Sequence, residues 1–263
     1  MITINDTPLE YTSIVSEYPE KSVEKKILET MISSAATHSY ASINQLKFEL
    51  KLRREIINAS NALLRSGMSF AIFRKSKCNP RYWVRMDDGG FALKQGVKPS
   101  DAVADIFSNG SKYATECATG ALIVYYKALL ETFPEDAYNR MFPNIYLMNW
   151  HRIEKEIREV GLMQTATDFL PGDRRYFDNP DVDPLTPQWQ GENVFDMGNG
   201  LYYGHGIGKY KADVFIKILN GKRKKNADTS AYLMDLVGHP NFKRLSDLYD
   251  TASPGISAHF YSA

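Results

Sequence analysis

Three observations predict an α+β fold for this chain of 263 residues. Its first half carries apolar residues at helical spacing: Val23, Ile27 and Met31 in one run, then Ile43, Leu46, Leu50, Ile57 and Leu64 in another. Residues 121–126, "ALIVYY", are apolar all round, which marks a fully buried helix rather than a surface one. Beyond them the chain breaks into short strand-like words, "NIYLMNW", "RRYF", "ENVFDM" and "LYYGHG". Pro, Gly and Asp-rich turns separate these words, so they predict a small, mostly antiparallel sheet.

Taken in order, residues 1–20 read as a polar, loosely patterned arm. "EKSVEKKILETMISSA" predicts a helix. Ser42 and Gln45 form a capping box that opens a longer one, and Gly67 stops it. "SFAIFRK" and "RYWVRM" flank "SKCNP" and predict a hairpin, with Cys78 an incidental thiol near the surface of its turn. "KPSDAVADIFSNG" predicts a short helix capped by Ser100 and ended by Gly110. Late in the chain, "KADVFIKILNGKRKK" and "TSAYLMDLV" predict two more helices. The resulting organisation is an arm at 1–20, a single domain at 21–250 with its core at about 98–220, and a tail at 251–263.

Lys and Arg number 32 against 31 Asp and Glu, so no global field attracts nucleic acid or anionic lipid. The densest basic run, Lys222 to Lys225, reads as a solvated loop. The N-terminal "MITINDTPLEYTS" lacks the pattern of a signal peptide, and no stretch is apolar for the roughly 18 residues a membrane span needs. A protein made in a reducing cytoplasm is expected, with no membrane partner. Two distant cysteines, Cys78 and Cys117, exclude a disulfide framework and a cysteine zinc site. Without an Asp-rich loop of the EF-hand type, neither calcium nor any other cofactor is expected.

Cys117 stands out, because it follows Glu116 at the threshold of the buried helix. A thiolate is the reactive form, and a helix N-terminus stabilises an anion. Thr115 and Glu116 read as first-turn residues, which would place the sulfur in that field. Cys117 is therefore either a nucleophile or a small hydrophobe packed at a helix start. A carboxylate in a first helical turn likewise interacts with the dipole whatever the chemistry, so Glu116 has the same two readings.

The downstream words "FLPGDRRYFDNPD" and "ENVFDMGNGLYYGHG" resemble core strands of NlpC-like cysteine peptidases, the compact bacterial branch of the papain-like fold. Aligning the Gly198–Gly200 turn puts Glu192 where that family has its histidine, and His205 within about one residue of its third polar position. Narrower agreement comes from "ATECAT", "FELKLR", "WQGENV" and "HGIG", which resemble the spore-coat transglutaminases of bacilli from about residue 40 to "SAYL" near 233. The first 20 or so residues and those after about 240 fall outside that resemblance. It implies an acyltransferase that joins Gln to Lys side chains without calcium or cofactor. Cys117 would be the nucleophile, Glu192 its main partner, Glu116 a second carboxylate and His205 a nearby polar member of the site. Spore coat proteins would be the substrates of a monomer acting in the mother-cell cytoplasm and then in the coat.

Two rival readings stand beside this one: an NlpC-like peptidase or amidase cutting cell-wall peptides, and a non-catalytic coat component. Trp150, Trp189, Tyr202 and Tyr203 are either walls of a substrate passage or core aromatics, whereas His151 and His239 read as structural or surface residues.

Overall fold

The protein is described here by a computed structural model covering residues 1–252, so the proposed tail at 251–263 lies almost wholly outside the described residues. A helix at Ile43–Arg65 packs on a helix at Cys117–Thr132, and a terminal helix, Phe242–Ala252, lies against the first of these. Leu52, Ile56, Leu63, Leu122, Ile123, Tyr125, Tyr126 and Leu129 form the centre of this core. As predicted, the Cys117–Thr132 helix is buried on nearly every side. Ser42 accepts the Gln45 N–H while the Gln45 side chain accepts the Ala41 N–H, and Gly67 ends the helix at φ +81°. Leu64 points outward at 44% exposure, and the buried face runs instead through Ser60 and Leu63.

Five antiparallel strands make the main sheet, in the order Gly208–Lys211, Leu201–Gly204, Gly191–Asp196, Arg174–Asp178 and Tyr232–Leu233. Gly198, Asn199 and Gly200 all have positive φ, which lets a three-residue turn return the chain from the central strand. One face of Gly191–Asp196 rests on the buried helix through Phe195, whose ring meets that of Tyr125 edge-on at 5.1 Å. The result is an α+β architecture with the start of a core helix held against the centre of a sheet.

Several sequence expectations are corrected. Residues 1–20 are not a loose arm: Ile2–Ile4 is a strand paired in parallel with His38–Tyr40, and Ile2 and Ile14 are buried with Ile27, Leu46 and Leu50. Asn5 and Asp6, both at positive φ, close a hairpin onto Thr7–Pro8. The expected hairpin around Cys78 does not form. Ser69–Phe70 pairs instead with Ala114–Thr115, and Trp83–Arg85 pairs with Phe91–Leu93 across "DDGG". Gly89 there has φ +91° and sits against the Phe73 backbone, where no side chain fits. Ser100 is not a cap, since Pro99 opens that helix and the Ser100 hydroxyl donates to Glu135 instead. "TSAYLMDLV" forms two short edge strands, Tyr232–Leu233 and Leu236–Val237, because its apolar residues are taken up by Phe177 and by residues 164–165. Among the described residues, no helix is long and apolar enough to cross a membrane.

Candidate active site

Cys117 is the first residue of its helix, and its side chain opens into a cavity of about 1060 Å³. Thr115 and Glu116 are not in the first turn. Thr115 ends a strand and Glu116 is the N-cap, its carboxylate accepting the N–H groups of Ala118 at 2.6 Å and Thr119 at 2.7 Å and the Thr119 hydroxyl. The Thr119 oxygen in turn accepts the Asn149 N–H at 2.7 Å, fixing the loop that carries Trp150. Glu116 thus holds the helix start in place while adding negative charge beside the sulfur.

Glu192 enters from the central strand and is 2% exposed. Its carboxyl acts electrostatically on the Cys117 sulfur, and its Oε1 has no hydrogen-bond partner among the described residues. Gly204 on the adjacent strand makes room for it: a Cβ there would lie 2.7 Å from Oε1. Burial, and then the charge of Glu116, hold the Glu192 carboxyl well above the usual carboxylate range. Burial also pushes the Cys117 thiol well up, followed by the charges of Glu192 and Glu116, while hydrogen bonds from Asn193 act the other way. Sulfur and carboxyl titrate as one pair, and the electrostatics oppose both being ionised together.

His205 follows directly after Gly204. Its ring packs against Gly120, where an added Cβ would lie 2.8 Å away, and its Nε2 meets the Ser69 carbonyl at 3.2 Å. Burial lowers its pKa to about 4, so the ring is neutral at ordinary pH. The structure therefore brings Cys117, Glu116 and Glu192 together, and places His205 beside the helix start, bonded to backbone carbonyls rather than to that trio.

Two residues escaped the sequence reading. Asn193 directs its Nδ2 at the Cys117 sulfur, 3.8 Å away, and its Oδ1 accepts from Arg174 Nη1 at 2.6 Å. Arg174 is 2% exposed and lies over the Trp150 ring at 4.2 Å. The sequence signal was present in "DRRYF", where paired cations open a predicted strand. Of the four aromatics considered, Trp150 lines the cavity. Trp189 stacks behind the lining residue Phe70 at 5.8 Å, Tyr203 belongs to the core, and Tyr202 packs on Phe177. Cys78 is packed against the core and pushed up to about 11 by burial. Among the described residues, no three His, Cys, Asp or Glu side chains converge as a metal ligand set.

Residues 1–249 match the family model of protein-glutamine gamma-glutamyltransferases. The chain belongs to this family. It is 39% identical over 248 residues to the protein-glutamine gamma-glutamyltransferases of Bacillus cereus (strain G9842) and Bacillus mycoides (strain KBAB4), covering 94% of this chain and 89% of each relative. In solved structures it is similar to a transglutaminase from Geobacillus stearothermophilus without its C-terminal extension. That likeness has 49% identity and a TM-score of 0.75, and it spans 79% of this chain and 98% of the other. Family membership makes the protein an acyltransferase. The match also reaches further than the sequence resemblance did, taking in residues 1–20 and the helix after 240. Both segments are packed into the fold, which agrees with that extent.

Proposed function

We propose that this transglutaminase family member cross-links Gln and Lys side chains through a thioester on Cys117, with Glu192 carrying the proton. The observation that carries the reading is a thiol lining an open cavity beside a buried carboxyl, each opposing ionisation of the other, with Glu192 Oε1 unpartnered among the described residues.

In the first half-reaction the sulfur attacks the Gln carboxamide carbon while its proton passes to Glu192. The Cys117 N–H, which the Glu116 cap does not take, is positioned at the helix start to hold the developing oxyanion. The C–N bond breaks, Glu192 returns the proton to the leaving nitrogen, and ammonia departs. In the second half-reaction a lysine ammonium is drawn in by the acidic pair and gives a proton to Glu192. The free amine attacks the thioester carbon, the C–S bond breaks, a proton from the attacking nitrogen restores the thiol, and Glu192 releases the ammonium's proton to solvent. Transfer competes with hydrolysis, so the passage must exclude water; Phe70, Trp150 and Tyr176 supply apolar walls for that purpose.

The finer reading has four parts. The catalytic core is papain-like, a helix-borne cysteine on an antiparallel sheet with a carboxylate in the histidine position. No calcium is required, since every proposed step uses protein groups alone. The substrates are Gln- and Lys-bearing proteins of the spore coat, with the enzyme a monomer formed in the mother cell, a placement suggested by its Bacillus relatives. The unit responsible is a single domain extending to about residue 250.

Incubation with a Gln-bearing protein and a fluorescent primary amine tests the reaction. Incorporation is expected in the presence of a chelator and should fall by about 10⁴-fold or more in Cys117→Ala. Release of peptide fragments without incorporation would instead favour the peptidase reading, and incorporation that survives in Cys117→Ala would remove the thioester.

A further inference from the structure

Arg174 is a buried cation with no carboxylate paired to it among the described residues. Its guanidinium donates to Asn193 Oδ1 at 2.6 Å and, through Nη2, to the carbonyls of Val160 at 2.9 Å and Leu162 at 3.1 Å. Its Nε finds no partner among the described residues. The ionisable groups acting most on its charge are the phenols of Tyr125 and Tyr176 and the thiol of Cys117. A buried charge is expensive unless it is paired, and a guanidinium does not shed its proton to escape. Its neighbour Arg175 differs, lying in the field of Asp196, Asp173 and Asp235.

The donors near the shared proton are also unevenly placed. At the sulfur gather the Asn193 side-chain N–H and the helix start. At Glu192, Oε1 has none. Because Asn193 Oδ1 is tied to Arg174, its amide can turn only its N–H face toward sulfur. We propose that Arg174, acting through Asn193, is the counter-charge of the Cys117 thiolate, a positioning residue that lets the shared proton leave sulfur for Glu192. The S–H bond breaks and an O–H bond forms on Glu192, leaving the negative charge between Asn193 and the helix start. Arg174 also anchors the Trp150 ring and the 160–162 segment of the cavity wall, so the same side chain couples wall and nucleophile.

This inference rests on the reading of Cys117 as nucleophile, and its test separates the two. The pH dependence of Cys117 alkylation by iodoacetamide is measured for the wild type, R174Q and R174K, with amine incorporation followed in parallel and folding checked by thermal melting. The groups facing the sulfur are Glu116, Glu192, Asn193, Arg174 and Tyr176, with neutral His205 behind the helix start; only the charge at 174 changes in R174Q. R174Q should raise the alkylation midpoint by about one pH unit and slow alkylation at neutral pH about tenfold, whereas R174K should recover most of both. A folded R174Q with the wild-type midpoint overturns the proposal, and so does R174K failing as fully as R174Q, which would assign the effect to packing. Should R174Q not fold, N193A cuts the same link at its other end, and an unshifted midpoint there overturns it equally. Absence of amine incorporation in the wild type would count against the transferase reading alone, because alkylation reports on the sulfur directly.

Discussion

Two buried polar clusters meet at consecutive residues, Asp173 and Arg174, and they are built on opposite principles. In the first, Arg53 donates to Glu49 Oε1 and to Asp173 Oδ1, both at 2.8 Å, and to the Pro171 carbonyl at 3.2 Å. The remaining oxygens are taken as well, Glu49 Oε2 by Tyr40 at 3.0 Å and Asp173 Oδ2 by the Leu170 N–H at 2.8 Å. The Arg53 guanidinium also lies 4.6 Å from the centre of the Phe242 ring, so this cluster ties the long helix to the amino-terminal strands, the sheet and the last helix. In the second cluster, Glu192 Oε1 and Arg174 Nε are left unpartnered among the described residues, and two acids crowd one thiol. A fully paired buried network specifies a structure; a partly paired one stores electrostatic tension that a substrate can relieve.

Breaking the first cluster should damage folding and spare chemistry. Asp173→Ala leaves Arg53 short of one counter-ion and should cost about 3–5 kcal/mol in urea unfolding, with turnover per folded molecule close to wild type. A stability loss below about 1 kcal/mol would erase the contrast between the clusters. The second cluster should behave in reverse. Glu192→Gln keeps the shape, removes the proton carrier and should lower kcat by about 10²–10³-fold with little change in melting temperature. Wild-type kcat in that variant would dismiss Glu192 from the chemistry.

His205 sharpens the comparison because it sits beside the second cluster but is satisfied like the first. Its pKa falls from 6.5 in the unfolded chain to about 4 in the folded one, so the unfolded state binds the proton first. The stability it contributes is complete above pH 6.5 and is lost as the pH falls toward 4, up to about 3 kcal/mol. Urea titrations across that window should show a shallower loss in His205→Gln than in the wild type. Parallel curves would mean the imidazole is not held neutral by the fold.

Legibility from the sequence followed the range of the interaction. The Ser42–Gln45 cap, the all-apolar face of the Cys117 helix and the Gly198–Gly200 turn are local, and each was read correctly. Strand pairing was not. "SFAIFRK" does contain a strand, but its partner is 45 residues further on in a parallel pair, Ser69 with Ala114, and no local pattern names that partner. Ile2 seemed part of an arm because one short strand carries too few apolar residues to announce its burial. At the site, the motif words picked out Cys117, Glu116, Glu192 and His205, yet could not separate the cap role of Glu116 from a chemical one. Asn193 and Arg174 went unseen, since whether a guanidinium has a counter-ion is a matter of who is near it in space.

By itself the amino-acid order determined a cysteine at the threshold of a buried helix, the acid-bearing strand word "ENVFDM", and the membership of a transferase family. These are properties of residue type and spacing, which the chain carries before it folds. Only the tertiary structure decided which acid is buried with an unpartnered oxygen acting on the sulfur, which one caps the helix, and that a buried cation stands behind the asparagine. Burial and distance set the strength of every charge in that pocket, and both come into being only when helix and sheet are packed together.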